Sequence, residues 1–144
     1  MTVLFPGSFD PFTIGHADIV ERALAFADKV VIAIGVHPSK KGVATPEERK
    51  AQIEAVYKNE SRVEVAIYEE LTTDFAQSMD ISVIIRGVRC IKDFEYERNI
   101  AEINRQLTGI ETLLLFADPR YEAVSSSVVR ELESYGKDVS PFLP

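Results

Sequence analysis

The sequence predicts an α/β protein: a Rossmann-like, doubly wound sheet of about five parallel strands with helices on both faces. Short runs rich in β-branched residues alternate along the chain with amphipathic stretches, and several runs are apolar at successive positions. Strands buried on both faces of a parallel sheet show that second pattern. Because no low-complexity linker interrupts the 144 residues, a single domain over 1–144 is expected.

Five runs are assigned to strands, and each is followed by a segment long enough for a crossover helix. Such connections are right-handed, and each brings the chain back so that the next strand starts at the same end of the sheet as the one before. Runs of this length and composition are typical of strands. In chain order the predicted strands are 2–5, 29–36, 62–68, 82–87 and 112–116.

Apolar residues at helical spacing indicate helices in 17–27 and 94–107. Tyr96 falls on the apolar stripe of the second segment, so Tyr96 is predicted to lie in the core. The other members of this stripe are Ile100, Ile103 and Leu107.

Two more helices are marked by hydroxyl residues at their starts. Thr-Pro-Glu-Glu at 45–48 has the spacing of a capping box, with proline at the first helical position. Serines at 125–127 begin a last helix, which is predicted to run through Tyr135. Gly136 follows, where glycine commonly caps a helix C-terminus.

The composition argues against several classes of function. A net charge of −7 and a pI near 4.9 disfavour broad binding to nucleic acid or anionic membranes, which needs a basic face. Cys90 is the only cysteine, so no intramolecular disulfide is possible. The start, MTVLFPG, lacks signal-peptide features, and no run approaches the roughly 20 apolar residues of a membrane span. A cytoplasmic protein is expected.

The loop FPGSFDPFTIGH, residues 5–16, holds more special residues than a strand-to-helix connection needs. It lacks GxGxxG and GxxxxGK[ST], the best-known phosphate-binding fingerprints. A helix that begins near 14–16 would instead point free backbone N–H groups and its positive dipole end at an anion. Gly15 allows close approach, His16 offers an imidazole donor, and Ser8 adds a hydroxyl. The loop is interpreted as a phosphate site.

Other unusual residues also follow predicted strands. In open α/β sheets ligands bind outside the carboxyl ends of the strands, so these segments are expected to meet at one edge. They are Lys40 and Lys41 after the second strand, Arg86, Gly87 and Arg89 after the fourth, and Tyr121 to Ser127 after the fifth.

The opening loop resembles the [ST]-x-G-H signature of the nucleotidylyltransferase superfamily, and the whole chain resembles the bacterial phosphopantetheine adenylyltransferase family. Several motifs occur in that family's order and approximate spacing, and together they are specific. They are GSFDPFTIGH (7–16), PSKK (38–41), IRGVR (85–89), DFEYE (93–97), SSSVVRE (125–131) and FLP (142–144). Members of the family usually continue past FLP into another short helix, so a subunit contact made by that helix is expected to be missing.

The resemblance implies transfer of the adenylyl group of ATP to 4′-phosphopantetheine, which gives dephospho-coenzyme A and pyrophosphate. The acceptor's own phosphate attacks the α-phosphorus, so positioning and charge stabilisation must supply the rate. Mg²⁺ is implied as the cofactor, held mainly by ATP phosphates, and no set of protein ligands for a metal is predicted. Asp10 is assigned to the turn beside Pro11, and His37 and Cys90 are assigned structural roles.

The resemblance also implies roles for individual residues. The implied catalytic residues are His16, Lys40, Arg89 and Ser127. ATP contacts are implied for Ser8, Phe9, His16, Gly87, Val88, Arg89, Glu97, Tyr121, Glu122, Ala123, Val124, Ser125, Ser126 and Ser127. Contacts with the phosphopantetheine substrate are implied for Ser8, Lys40, Thr72 and Arg86, with Leu71 next to Thr72.

Two alternatives stay open at this point. Another superfamily member, such as a nicotinate mononucleotide adenylyltransferase or a cytidylyltransferase acting on a small phosphate ester, would share the opening loop. A nucleotide-sensing module would bind ATP without releasing pyrophosphate. PSKK, IRGVR and SSSVVRE favour the phosphopantetheine enzyme. The resemblance further implies a homohexamer with feedback binding of coenzyme A, and no nucleic-acid or membrane partner.

Overall fold

A computed structural model describes residues 1–39 and 42–144, and its centre is a five-stranded parallel sheet. The strands are β1 (Thr2–Gly7), β2 (Lys29–Gly35), β3 (Val63–Tyr68), β4 (Val83–Val88) and β5 (Glu111–Phe116). Their order is β3-β2-β1-β4-β5, and neighbouring strands pair in parallel. β1 is therefore central, and the strand order reverses between β1 and β4. The predicted α/β class is confirmed.

Four of the five α-helices in the described chain overlap segments that the sequence indicated. The first ends at Ala23, four residues before the predicted end, and the helix Thr72–Ser78 was not predicted. The helices are α1 (Ile14–Ala23), α2 (Pro46–Val56), α3 (Thr72–Ser78), α4 (Ile91–Thr108) and α5 (Ser126–Ser134). The Thr45 hydroxyl caps α2 by accepting the N–H of Glu48 at 3.1 Å. Gly136 has a φ of +73°, and the Lys137 N–H after it donates to the Leu132 carbonyl at 3.1 Å. The predicted glycine cap of α5 is therefore confirmed.

Alternate side chains of the strands enter two cores on opposite faces of the sheet. On one face, Val3 and Phe5 of β1 pack with buried residues of α1 and α2, including Val20 and Ile53. On the other face, Leu4 packs with buried residues of α3. Because neighbouring strand residues point to opposite faces, continuous apolar runs need helices on both faces, and the fold provides them.

The apolar stripe of α4 is exposed, so the prediction that Tyr96 lies in the core is wrong. Tyr96 is 65% exposed, and Ile100, Ile103 and Leu107 are 41%, 52% and 67% exposed. The buried residue of this helix is Glu97 instead. Helical spacing identifies positions that share a face, but it does not identify the surface that covers them. No described part of the chain covers this stripe.

The ladder between β1 and β4 does not extend to their carboxyl ends, where the site lies. Their register contains the single pair Leu4 and Ile84, whereas β1 pairs with β2 as far as Gly7. Pro6 lies beyond the end of this ladder, where its carbonyl accepts a hydrogen bond from Arg86 Nη1 at 2.5 Å. Proline has no N–H to give to a ladder, so it suits a position beyond the ladder's end.

Candidate active site

A pocket of about 430 Å³ opens at the carboxyl ends of β1 and β4. This is the point where the strand order reverses, as expected for ligand binding in an open α/β sheet. Residues from the first turns of α1 and α5 also line the pocket. Backbone N–H groups at these positions have no partner within the helix, so two helix N-termini contribute donors to one cavity.

His16 lies in the first turn of α1 and completes a capping box with Thr13. The backbone N–H of Thr13 donates to His16 Nδ1 at 2.9 Å, and Thr13 Oγ1 accepts the N–H of His16 at 3.4 Å. A ring nitrogen that accepts a backbone N–H carries no proton, so the neutral ring has its proton on Nε2. His16 therefore offers the pocket a hydrogen-bond donor.

Burial, and then the positive charges of Arg86 and Arg89, lower the pKa of His16 from 6.5 to about 4. The ring stacks on Phe12 with centroids 5.4 Å apart and meets Phe9 edge-on at 5.0 Å. At neutral pH the ring is consequently uncharged, and it contributes a directed N–H group without a net charge.

Phe9 has a φ of +49°, in the left-handed region that bulky residues rarely adopt. Its buried ring packs on Phe5 and Phe12 with centroids 5.1 and 5.5 Å away. The ring passes so close to Gly7 that a Cβ at that position would lie 2.9 Å from Phe9 Cζ. Gly7 is therefore required by the aromatic packing beneath the pocket.

The three serines at the start of α5 have three different partners. Ser125 is the N-cap, and its Oγ accepts a backbone N–H of the same helix at 3.2 Å. Ser126 Oγ donates to the Pro11 carbonyl at 2.8 Å, which joins α5 to the opening loop. Ser127 Oγ accepts from Arg130 Nη2 at 3.3 Å. All three serines line the pocket.

Arg86 on β4 and Glu97 on α4 form an ion pair with two hydrogen bonds. Arg86 Nε donates to Glu97 Oε2 at 2.9 Å, and Nη2 donates to Oε1 at 2.7 Å. Glu97 is buried, so the pair fixes the arginine on the pocket wall. The predicted nucleotide contact of Glu97 thus coincides with a second task, which is to orient Arg86.

Arg89 and Arg130 add to the positive lining. Arg89 Nε lies 3.3 Å from Asp93 Oδ2, and Arg130 Nη1 donates to a backbone carbonyl of the opening loop at 2.6 Å. Together with Arg86, three arginines and two carboxylates line the pocket. The described lining is net positive in a chain whose formal charge is −7. Such a cavity suits a polyanion.

A smaller pocket of about 180 Å³ adjoins the first and shares Arg86 with it. Thr72 lines it, and its Oγ1 lies 2.8 Å from the Tyr68 hydroxyl. Asn104 and Thr112 also line it, and Thr112 Oγ1 is buried without a hydrogen-bond partner in the described chain. An amide and a free hydroxyl in a narrow slot suit a largely neutral molecule with a few polar groups.

Most residues predicted for the site meet in the larger pocket. Val88 does not, because its side chain is buried in the core, and Glu122 and Ala123 are exposed outside the lining. The ATP contacts of these three stay predictions. Thr72 lies in the smaller pocket, and Lys40 lies outside the described residues. The predicted residues in the larger pocket are Ser8, Phe9, His16, Arg86, Gly87, Arg89, Glu97, Tyr121, Val124, Ser125, Ser126 and Ser127.

Sequence reasoning missed several residues of the two pockets. Thr13 could have been found, because a hydroxyl three residues before His16 has capping-box spacing. Arg130 follows the last of the serines by three residues, which places it on the same side of α5. Asn104 and Thr112 carry no local signal, since only the packing of α4 against β5 brings them together.

Neither a metal-ligand cluster nor a membrane-spanning helix occurs in 1–39 and 42–144. No three His, Cys, Asp or Glu side chains in these ranges are placed to hold an ion. No helix there combines the length and the apolar character needed to cross a bilayer. The polar groups in the described lining of the pocket are three arginines, two carboxylates paired with arginines, hydroxyls, a neutral imidazole and backbone N–H groups.

The chain is similar in sequence and in structure to several known proteins. A protein-family model described as cytidylyltransferase-like matches residues 4–132. A phosphopantetheine adenylyltransferase of Bacteroides thetaiotaomicron is 52% identical over 141 residues, which cover 98% of this chain and 93% of the relative. Proteins of the same name from Leuconostoc citreum and Thermobifida fusca are 49% and 43% identical, over 98% and 99% of this chain and 90% and 87% of their own lengths.

A solved structure, a bifunctional NMN adenylyltransferase/ADP ribose pyrophosphatase from Francisella tularensis, matches 99% of this chain with a TM-score of 0.77. It is 16% identical, and this chain spans 44% of its length, so the likeness shows the fold alone. The sequence relatives are far more similar and are matched over nearly their whole lengths. On that basis the chain belongs to the phosphopantetheine adenylyltransferase family, within the cytidylyltransferase-like proteins.

Proposed function

We propose that this protein transfers the adenylyl group of ATP to 4′-phosphopantetheine, giving dephospho-coenzyme A and pyrophosphate in the penultimate step of coenzyme A synthesis. One observation carries the mechanism. His16 is neutral, and Thr13 occupies its Nδ1, so its Nε2–H is available in a pocket lined by two helix N-termini and three arginines. The names of the relatives support the choice of acceptor.

In this reaction an oxygen of the acceptor phosphate forms a bond to the α-phosphorus of ATP, and the bond from that phosphorus to pyrophosphate breaks. No protein atom becomes attached to either substrate. The rate must therefore come from positioning and from donors aimed at the phosphate oxygens as charge shifts. His16 supplies such a donor without changing its own protonation. Lys40, which is not among the described residues, is proposed to contact the same phosphates.

ATP is placed in the larger pocket. Its triphosphate lies against Arg89 and the N-terminus of α5, where Ser127 adds a hydroxyl, and its adenosine follows residues 121–124. Helix N-termini and arginine together suit several phosphate groups, because they offer many donors in fixed directions. Phe9 and residues 87–88 contribute through their backbones.

The acceptor is placed across the two pockets. Arg86 lies in the lining of both, so it can hold the phosphate of phosphopantetheine while the pantetheine arm enters the slot beside Thr72. Ser8 lies in the larger pocket on the β1 side and is assigned to both phosphates. A site shared between two cavities in this way brings two substrates end to end, which in-line transfer requires.

Mg²⁺ enters this proposal with the nucleotide. The two carboxylates in the described lining, those of Asp93 and Glu97, are already paired with arginines. That arrangement fits an ion held mainly by ATP phosphates and water, as is usual for Mg²⁺. When bound, the ion neutralises part of the triphosphate charge.

The test is pyrophosphate release from ATP and Mg²⁺ with each of three acceptors: 4′-phosphopantetheine, nicotinate mononucleotide and glycerol 3-phosphate, with CTP as the alternative nucleotide. Turnover confined to ATP with phosphopantetheine is expected. Turnover with another acceptor or nucleotide would show that the enzyme is a different member of the nucleotidylyltransferase superfamily. ATP binding without pyrophosphate release from any mixture would favour the nucleotide-sensing module.

Assembly as a homohexamer is proposed as well. The number six comes from the family resemblance, and the support in this chain is its exposed apolar surface. Leu113 and Phe116, on β5 at the edge of the sheet, are exposed as well. Apolar surface of this extent beside an edge strand is typical of a protein interface. Light scattering should give six times the chain mass, and a monomer would contradict the proposal.

Feedback by coenzyme A and a cytoplasmic location complete the proposal. Coenzyme A carries the same pantetheine arm and adenylyl group as the product, so it can occupy both pockets. Turnover should fall when coenzyme A is added and recover as both substrates are raised, whereas an unchanged rate would contradict feedback. Cell fractionation should recover the protein with the cytoplasmic fraction, and recovery with membranes would contradict the location.

A further inference from the structure

Two buried charged side chains join the loop after β1 to the loop after β2. Asp10 is 6% exposed, and Arg49, in α2, is 5% exposed. Neither belongs to the lining of the larger pocket. Charged groups are seldom buried this deeply unless their hydrogen bonds are satisfied. The sequence suggested only a turn role for Asp10 beside Pro11, and it gave no role to Arg49.

Asp10 connects the two loops as a hydrogen-bond acceptor, and Arg49 connects them as a donor. The Asp10 carboxylate accepts the N–H of Val43 at 2.7 Å and the N–H of Ala44 at 3.2 Å. Arg49 Nη1 donates to the Ser8 carbonyl at 2.7 Å, and Arg49 Nε donates to the Ala44 carbonyl at 3.1 Å. Four hydrogen bonds therefore tie residues 8–10 to residues 43–44.

Gly42 lies inside this connection. A Cβ at Gly42 would be 2.6 Å from Asp10 Oδ2 and 3.0 Å from Arg49 Nη2. Those atoms belong to side chains that are held by the hydrogen bonds just described, so they cannot move aside without breaking them. Only glycine therefore fits at this position, because there is no space for a Cβ atom.

Asp10 is also connected to the pocket itself. Its backbone carbonyl accepts from Arg130 Nη1 at 2.6 Å, and Arg130 Nη2 donates to Ser127 Oγ at 3.3 Å. One residue thereby links the β2 loop, through its carboxylate, to the serines of α5, through its carbonyl.

We propose that Asp10, Arg49 and Gly42 form a clamp that positions Ser8 and residues 43–44 for adenylyl transfer. They are positioning residues, and the inference rests on the proposed function. The clamp fixes the Ser8 peptide at the pocket wall and residues 43–44, which continue the PSKK segment. A misplacement of about 1 Å can cost about 100-fold in rate. Loosening the clamp should therefore lower kcat while ATP still binds.

The experiment compares the full-length variants Asp10→Asn, Arg49→Lys and Gly42→Ala with wild type. Asn keeps the shape of Asp10, but its amide NH₂ replaces one carboxylate oxygen and so faces a backbone N–H of Val43 or Ala44 that needs an acceptor. Lys keeps the charge of Arg49 but has one donor nitrogen for two carbonyls. Ile53→Val is the matched control, because Ile53 is fully buried in the same helix and its truncation costs about 1 kcal/mol without removing a hydrogen bond of the clamp.

Two readouts are taken: steady-state kinetics, and amide hydrogen exchange at Val43 and Ala44 without substrates. We expect each clamp variant to lose at least about 10-fold in kcat, with KM for ATP changed less than about threefold. Asp10→Asn should speed exchange at both amides at least about 10-fold, and Ile53→Val should change neither readout. Asp10→Asn combined with Gly42→Ala should lose little more kcat than either alone, because both break the same contacts.

The clamp is overturned if folded Asp10→Asn keeps kcat within twofold, if Ile53→Val reproduces the loss, or if the Val43 and Ala44 amides exchange freely in wild type. Should Gly42→Ala fail to fold, the other two variants decide. The acceptor panel is scored on wild type alone, so failure of the proposed function is distinguishable. If phosphopantetheine is not the acceptor, kcat of the variants is measured with whichever acceptor wild type uses. If wild type turns over no acceptor, amide hydrogen exchange decides, and unchanged exchange at Val43 and Ala44 in Asp10→Asn overturns the clamp.

Discussion

Arg86 and Glu97 face each other across the boundary of the two pockets, with both carboxylate oxygens of Glu97 engaged. Together with the bond to the Pro6 carbonyl, this leaves two of the five N–H donors of the guanidinium without a protein partner in the described chain. The arginine is thus oriented before any ligand arrives, with donors to spare for a phosphate. Pre-organisation of this kind reduces the entropy lost on binding.

Replacing Glu97 with Gln should release Arg86 from this orientation. We expect KM for phosphopantetheine to rise about 10-fold and the free energy of unfolding to fall by about 2 kcal/mol, the scale of hydrogen bonds to charged groups. Glu102→Gln is the control, since its pair with Arg105 is exposed and solvent screening leaves it little effect on the free energy of unfolding. Equal effects of the two substitutions in urea unfolding would contradict the assigned role.

Removal of the His16 side chain should abolish most turnover and leave the fold intact. His16→Ala is expected to lose at least about 100-fold in kcat, the scale of one lost donor to developing charge. His37→Ala is the comparison, because His37 is the other histidine and is exposed. Near-native turnover by a correctly folded His16→Ala protein would refute the donor role.

His16 should also make stability depend on pH between about 4 and 6.5. In that window the unfolded chain holds a proton on His16 and the native chain does not, because the native pKa is about 4. The unfolded state binds more protons, so the free energy of unfolding falls as pH falls, by up to about 3 kcal/mol from this group. Urea unfolding of wild type and His16→Gln at pH 5 and pH 7 checks it, and parallel pH dependence would disprove it.

Two glycines of the opening loop should respond in opposite ways to a methyl group. Gly7→Ala drives a Cβ against the buried Phe9 ring and should cost about 2 kcal/mol of stability. At Gly15, in the first turn of α1, the nearest atoms lie 3.5 Å away or more, so alanine should stabilise the protein by about 0.5 kcal/mol. It should nevertheless raise KM for ATP, because Gly15 lines the pocket. Thermal unfolding and kinetics separate the two effects.

A charge placed on the exposed stripe should disrupt assembly. Ile103→Glu is expected to reduce the mass seen by light scattering, because an unpaired carboxylate would be buried in the contact. Arg98→Glu is the control, since Arg98 is exposed on the opposite side of α4. If both variants assemble like wild type, the stripe is not the contact.

The sequence predicts the strands and the edge at which the site forms because those features are local. Apolar runs mark the strands, and parallel strands bring the segments after them to one edge. The Arg86–Glu97 pair is different: strand and helix meet only after the crossover packs on the sheet, and the ten intervening residues carry no sign of it. Val88 lies two residues after Arg86 and so on the same face of β4. Alternation therefore gave no sign that its side chain is buried in the core.

Two helices show where sequence patterns fall short. α3 has Leu71 at its N-cap and no side-chain capping hydrogen bond there, so its start had no local marker. α4 had a clear apolar stripe, but the residues it turns towards the sheet include Glu97 and Asn104. Periodicity reports which residues share a face, and the identity of the covering surface depends on tertiary structure.

Cys90 offers a practical consequence. It is the only thiol of the chain, it is exposed at the N-cap of α4, and its side chain makes no capping hydrogen bond in the described structure. A maleimide dye would therefore attach at one place, directly after Arg89, which lines the larger pocket. The native sequence also contains no tryptophan, so the label's emission could follow nucleotide arrival in stopped flow without any engineered cysteine or competing indole fluorescence.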